Sequence, residues 1–118
     1  MGVRSMCTFI QTPDVKLLVD PGVSLGPRFH LLPHPKEYEC LLESRKRITQ
    51  YADKADIVTI SHYHYDHCTP TYIDRTWTFS DSETAHRIYG KKIILAKNIR
   101  NNINPRQRRR GWILKKNR

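Results

Sequence analysis

The sequence lacks the features that would place the protein in a membrane or outside the cell. Nowhere in its 118 residues do 18 uncharged apolar residues follow one another, although about that length is needed for a helix to cross a bilayer. Arg4, Asp14 and Lys16 interrupt the N-terminal region before it could form the apolar part of a signal peptide. We therefore expect a soluble, cytoplasmic protein with no membrane partner.

Cysteine is scarce and has no paired spacing. Cys7, Cys40 and Cys68 are widely separated, so they match neither a disulfide framework nor a zinc ribbon. We interpret them as reduced thiols. A hydrophobic fraction of 38% in a chain of this length is sufficient for one modest core, which favours a single domain.

Acidic residues are absent from the last part of the chain. Residues 1–86 contain 9 Lys and Arg against 11 Asp and Glu, a net charge of −2, whereas residues 87–118 contain 12 Lys and Arg and no acid, a net charge of +12. Such a segment attracts polyanions through counterion release, and nucleic acid is the obvious candidate partner. The alternative is a solvated end, or a segment whose acidic partners lie in sequence outside this chain.

Apolar periodicity and turn residues predict an α/β domain. The predicted elements are strands at 5–12 and 15–22 with a turn at 12–14, a helix at 36–54, a strand at 55–61, a helix at 81–90 and a strand at 91–97. Pro35 suits the start of the first helix, Asp81 or Ser82 the N-cap of the second, and Gly90 its end. Trp77 and Phe79 in "TWTF" alternate with polar residues as in a strand.

Four metal-ligating residue types follow the strand at 55–61, in the stretch "TISHYHYDHCTP". They are His62, His64, Asp66 and His67. Imidazole and carboxylate groups are ligands of Zn²⁺ and also suit Fe and Mn. His62 and His64 could hold one ion, and Asp66 and His67 a second ion close by. The alternative is a polar loop of surface histidines.

The other histidines give weaker signals. His86 is interpreted as a residue on a helix surface, with ligation as the alternative. His30 and His34 lie in a proline-rich loop, where ordinary loop positions are favoured over a role in shaping a substrate entrance.

The stretch His62-Tyr63-His64-Tyr65-Asp66-His67 matches the HxHxDH signature and resembles the metallo-β-lactamase fold superfamily. Asp20, which ends "LLVD", resembles the aspartate of that fold's early hairpin. The segments "LVDPGVSLGPR", "ADIVTISHYHYDHCTP" and "AKNIRNNINPRQRRRGW" extend the match over essentially the whole chain. Together they resemble the N-terminal half of an uncharacterised archaeal branch of the superfamily.

The resemblance implies a partial αβ/βα sandwich, namely its N-terminal half, with a mixed sheet and flanking helices. Residues 1–105 would form an incomplete metallo-β-lactamase-like domain, and residues 106–118 a basic C-terminal tail. The superfamily's remaining ligands come from the second half of its fold. Because half a sandwich leaves faces of its sheet and helices exposed, either a homo-oligomer such as a dimer or poor solubility is expected.

The resemblance also implies the roles of single residues. His62 and His64 would bind a first metal ion, and Asp66 and His67 a second. Asp66 would in addition orient the attacking water or accept its proton, and Asp20 would hold a ligand histidine in place. The implied activity is that of a zinc-type, metal-dependent hydrolase that uses a metal-activated hydroxide.

The substrate is open between a small molecule and nucleic acid, and the basic tail favours a phosphodiester. The alternative function is a truncated, catalytically inactive fragment that binds a metal or nucleic acid.

Overall fold

A four-stranded mixed sheet organises the structure, a computed structural model that describes residues 3–118. Its strands, in spatial order, are β1 (Thr8–Gln11), β2 (Lys16–Val19), β3 (Ile57–Ile60) and β4 (Ile93–Ala96). β1 and β2 form an antiparallel hairpin, whereas β2 with β3 and β3 with β4 are parallel. The predicted class, an α/β fold with a mixed sheet and flanking helices, is confirmed.

Three helices accompany the sheet: α1 (Pro35–Lys54), α2 (Ser82–Tyr89) and α3 (Pro105–Asn117). His34 caps α1, because its Nδ1 accepts from the Lys36 amide while Glu37 accepts from the His34 amide, a reciprocal capping box. The loop histidine thus has a structural role. Asp81 caps α2, which ends at Gly90 as predicted.

The core lies on one face of the sheet. Leu18, Val58 and Ile94 are register neighbours on the three parallel strands, and the first two are fully buried in the hydrophobic core. Side chains alternate along a strand, so the next residues point to the opposite face. There Ile93 is 61% exposed and Leu95 57% exposed. One sheet face is therefore packed and the other open, as expected for half of a sandwich.

A buried arginine joins the loops at the carboxyl end of the parallel strands. The guanidinium of Arg45, on α1, donates to the carbonyl oxygens of Thr78 and Val23 and to the hydroxyl of Thr69. Burial lowers the pKa of Arg45 to about 10, so it still carries its charge at neutral pH. Its partners come from the loop after β2 and from two positions nine residues apart in the connection between β3 and α2, and the arginine fixes them relative to one another.

The segment containing "TWTF" is a set of turns, so its interpretation as a strand was wrong. Asp74 and Ser80 form an isolated bridge that closes it. One carboxylate oxygen of Asp74 accepts from the amides of Thr76 and Trp77, and the other accepts from the Thr78 hydroxyl. An aspartate that satisfies nearby donors stabilises such turns locally.

The basic segment near the C-terminus forms α3, although its sequence predicted only turns and charge. Asn104 is the N-cap and Pro105 the first helical residue. Gln107, Gly111 and Leu114 are buried, so a solvated end is not what the structure shows. Among residues 3–118, no helix combines the length and apolar character needed to cross a membrane.

Candidate metal centre

The candidate ligands lie in the loop that leaves the carboxyl end of β3, beside the end of β2. Ligands of α/β sheets commonly bind at this edge. Asp20 follows β2 with a φ of 49°, a left-handed conformation that aspartate tolerates better than most residues. Its amide still donates to the Thr59 carbonyl. The turn at Asp20 directs its carboxylate toward the loop that follows β3.

Asp20 is the centre of a hydrogen-bond network. Its Oδ1 accepts from the Ser61 amide at 2.7 Å, and its Oδ2 accepts from the Ser61 hydroxyl at 2.7 Å and from His67 Nδ1 at 2.9 Å. Burial by itself raises the pKa of Asp20, but these bonds outweigh it and the pKa is lowered. The carboxylate is therefore ionised at neutral pH and holds His67 in one orientation.

The same network sets the protonation of two imidazoles. His67 Nδ1 donates to Asp20, so Nε2 is the nitrogen that carries the lone pair when the ring is neutral. The single hydroxyl proton of Ser61 is donated to Asp20, so His62 Nδ1, 3.0 Å from Ser61 Oγ, must be the donor in that contact. His62 therefore also presents a lone pair on Nε2. In the neutral state, both rings are in the tautomer whose Nε2 can ligate a metal ion.

The structure brings the predicted residues together. The ring centroids of His62 and His67 are 4.0 Å apart, and those of His62 and His64 are 4.8 Å apart. His67 Nε2 lies 3.6 Å from Asp66 Oδ2. Across residues 3–118, no group of three or more His, Cys, Asp and Glu side chains is arranged to hold a metal ion. The donor chemistry fits a divalent ion, and the ligand assignment stays a prediction.

The surroundings of His62 favour the neutral form of its ring. Burial, followed by the neighbouring His67 and His64, lowers the pKa of His62. Cys68, which adjoins the motif, is buried and packs against the Tyr89 hydroxyl at 3.5 Å. Burial raises the pKa of its thiol to about 11, so it remains protonated, and a protonated thiol is a poor ligand.

Close packing under the loop requires a glycine. A Cβ added at Gly22 would lie 2.6 Å from the backbone nitrogen and carbonyl carbon of His67 and still closer to the Cys68 nitrogen. No side chain fits there without moving the loop. The loop after β2 and the loop after β3 are thus in direct backbone contact.

Helix α3 supports the loop from the other side. Gln107 Oε1 accepts from the Tyr63 amide at 2.6 Å, and the Tyr63 hydroxyl donates to the Lys97 carbonyl. The guanidinium of Arg110 lies 4.0 Å from the ring centroid of Tyr65, a cation–π contact. The two tyrosines between the ligands therefore pack, as predicted, and their partners come from the basic segment.

Three supporting residues were not singled out by sequence reasoning: Ser61, Gln107 and Arg45. Ser61 adjoins the motif, so position alone could have suggested it. Gln107 lies 44 residues from its partner Tyr63, and Arg45 sits among charged residues on a helix that is otherwise amphipathic. Nothing local distinguishes these two from surface residues.

Comparison with known proteins identifies the class that the sheet and the histidine loop define. Residues 3–117 match the family model described as a beta-lactamase superfamily domain, and the chain belongs to that superfamily. The resemblance inferred from the HxHxDH signature is therefore confirmed, and so is the α/β fold compatible with part of a metallo-β-lactamase domain.

Curated relatives are archaeal proteins of the UPF0282 family. The chain is 54% identical over 115 residues to one from Methanopyrus kandleri and 48% identical over 118 residues to one from Thermococcus gammatolerans. These matches cover 97% and 99% of the chain, but 39% of each relative. One from Pyrobaculum calidifontis is 48% identical over 117 residues, which is 98% of the chain and 38% of that relative. The chain thus spans about two fifths of the length of these relatives. No solved structure matches it significantly.

Proposed function

We propose that the chain supplies the metal-binding loop of a zinc-type, metal-dependent hydrolase, with His62, His64, Asp66 and His67 as ligands. The observation that carries the proposal is the network around Asp20. By fixing a proton on Nδ1 of two imidazoles, it leaves Nε2 of His62 and His67 free to donate to an ion. A buried carboxylate that sets the tautomer of two histidines supports a ligand role over the alternative of a polar loop of surface histidines.

A bound divalent ion would supply Lewis acidity and lower the pKa of a water molecule. The chain's own residues have separate tasks. Asp20 and Ser61 orient the two rings, and Asp66, 28% exposed and in contact with His67 Nε2, orients the attacking water or accepts its proton. Iron or manganese suits the same donors.

A phosphodiester is the substrate class that the surroundings favour. An open cleft of about 420 Å³ is lined by His64, Asn104, Pro105, Arg106 and Gln107. It places the guanidinium-bearing residue Arg106, at the start of α3, on the same cleft as a proposed ligand. Arginine recognises phosphate oxygens through a planar fork of donors.

A second candidate function follows from the fraction of the relatives' length that the chain covers. Because the chain spans 39% of the length of the relatives from Methanopyrus kandleri and Thermococcus gammatolerans, the loop is one part of whatever catalytic centre the longer proteins have. The alternative is a fragment that binds a metal ion or nucleic acid without turnover. Metal binding and hydrolysis must therefore be measured separately.

The test compares the purified protein with His64→Ala and with a matched control, His86→Ala. His86 is exposed on α2. Metal content after loading with Zn²⁺ and dialysis is expected to fall in His64→Ala and to stay unchanged in His86→Ala. Equal metal content in all three proteins would show that the ligand assignment is wrong.

Hydrolysis of bis(p-nitrophenyl) phosphate by the loaded proteins then separates the two candidates. Turnover that is lost in His64→Ala supports the hydrolase. Specific metal binding without turnover supports the binding fragment.

A further inference from the structure

The outward face of α3 combines exposed cations with an exposed tryptophan. Arg108, Arg109 and Lys116 each lie three or four residues from Trp112, so the four residues share one side of the helix, and all are exposed. The opposite side carries the buried Gln107, Gly111 and Leu114. We call the four exposed residues, together with Arg100, the α3 surface.

The positive charge of this surface is not neutralised within the described structure. Over residues 3–118, every ion pair uses a cation at or before Arg87. Arg108 donates to the carbonyl oxygens of Ile99 and Arg100, which fixes its position but leaves its charge uncompensated. A cluster of cations without carboxylates costs electrostatic free energy that a polyanion would relieve.

An aromatic ring lies among these cations. Trp112 is 54% exposed, and Lys116 Nζ lies 5.2 Å from its ring centroid. Trp112 also lines a groove of about 580 Å³ with Ile99, Arg100, Pro105, Arg108 and Arg109. An exposed indole beside a positively charged groove is the arrangement that non-specific binders of single strands use, because every base has a face that can stack.

We propose that the α3 surface binds single-stranded nucleic acid, with a base stacked on Trp112 and phosphates contacted by Arg100, Arg109 and Lys116. This inference goes beyond the proposed hydrolase and holds whether or not the histidine loop binds metal. A membrane is disfavoured because α3 directs Leu114 into the core and so has no free apolar stripe to insert. The groove shares Pro105 with the cleft beside His64, so a strand bound on α3 can extend toward the histidine loop.

The experiment measures fluorescence anisotropy of a labelled 15-nucleotide oligo(dT) titrated with the protein at several salt concentrations. Trp112→Leu is expected to weaken binding roughly tenfold or more, the loss typical of one stacking residue. Arg109→Gln removes one phosphate contact, so it is expected to weaken binding and to reduce the slope of log K against log salt by about 0.7. Arg47→Gln, which removes an exposed cation from α1, is the matched control and should bind as the wild type does.

Competition identifies the class of partner. Unlabelled oligo(dT) is expected to displace the labelled strand at lower concentration than duplex DNA of equal charge, polyglutamate or vesicles of phosphatidylserine and phosphatidylcholine. Tighter binding to duplex DNA or to the vesicles would overturn the proposal. Circular dichroism checks that the Trp112→Leu variant folds. If the folded variant binds oligo(dT) as tightly as the wild type does, the proposal is also overturned. If the Trp112→Leu variant does not fold, the Arg109→Gln variant decides: a slope of log K against log salt equal to that of the wild type would overturn the proposal.

Discussion

The side chain of Gln107 accepts a hydrogen bond of 2.6 Å from the backbone amide of Tyr63, between two of the proposed ligands. A helix with six basic residues among its 13 is thereby anchored to the histidine loop. The contact is buried on both sides, where an unpaired amide would be costly. Helix α3 and the loop are consequently one structural unit, and changes in the packing of α3 should alter the conformation of the loop.

Gly111→Ala tests this packing. In an open helix, alanine in place of glycine would be expected to stabilise the fold by up to about 1 kcal/mol. Here a Cβ would lie 2.7 Å from two ring carbons of Tyr63 and 2.5 Å from Ile99 Cγ2. We expect a loss of about 1–3 kcal/mol in the free energy of unfolding, from overpacking. Urea denaturation measures it, and Lys115→Ala on the exposed side is the control. A stabilised Gly111→Ala variant would mean that α3 does not pack on Tyr63.

Asp20→Asn tests the network that sets the tautomers. Asparagine keeps the shape and tolerates the left-handed backbone at this position, but it lacks the charge that holds His67 Nδ1. Loss of such a supporting carboxylate typically weakens metal binding by roughly 10- to 100-fold. Titration calorimetry with Zn²⁺ checks this against Asp14→Asn, a change in an exposed turn. Equal affinity of the two variants would contradict the role given to Asp20.

Arg45→Met tests the buried arginine. Methionine matches the aliphatic part of the side chain but leaves the carbonyl oxygens of Thr78 and Val23 without their donor. Because each unsatisfied buried acceptor is costly, we expect a loss of about 2–4 kcal/mol in the free energy of unfolding. Arg47→Met, on the exposed side of the same helix, should change it by no more than about 0.5 kcal/mol. Similar effects of the two substitutions would refute the structural role of Arg45.

Asp81→Ala tests the cap of α2 and its dependence on pH. The Thr84 amide, which donates to Asp81, is the main cause of a lowered pKa for this carboxyl, and the Arg75 guanidinium adds to it. The folded state therefore binds the proton more weakly than the unfolded state, whose pKa lies near the ordinary 3.8. The stabilisation is present above that value and is lost as the pH falls through the lower, folded pKa.

At pH 7, Asp81→Ala should cost about 1 kcal/mol of the free energy of unfolding, as the loss of an N-cap does. The difference from the wild type should shrink as the pH is lowered below 4. Chemical denaturation at a series of pH values measures it, with Ser82→Ala as the control. A difference that is constant with pH would rule out the ionised carboxylate as the cap.

Much of the fold could be predicted because its signals are local. The hairpin of β1 and β2, helix α1, strand β3, helix α2 and strand β4 each have a clear apolar period or a recognisable cap. Helix α3 has a local start signal in Asn104 and Pro105, but it has no strong apolar face and contains Gly111 in its interior. It forms because Gln107, Gly111 and Leu114 find partners on distant elements, and no local pattern reports that.

The sequence by itself determined which residues can serve as ligands, because His62, His64, Asp66 and His67 lie within six positions of one loop. Tertiary structure alone decided which nitrogen of two rings is free, since the proton positions depend on Asp20, which is 47 residues from His67. It also decided that the basic segment is a helix anchored to that loop. Ligand identity depends on residue type and short spacing, whereas tautomer and orientation depend on hydrogen bonds between two loops that only folding brings together.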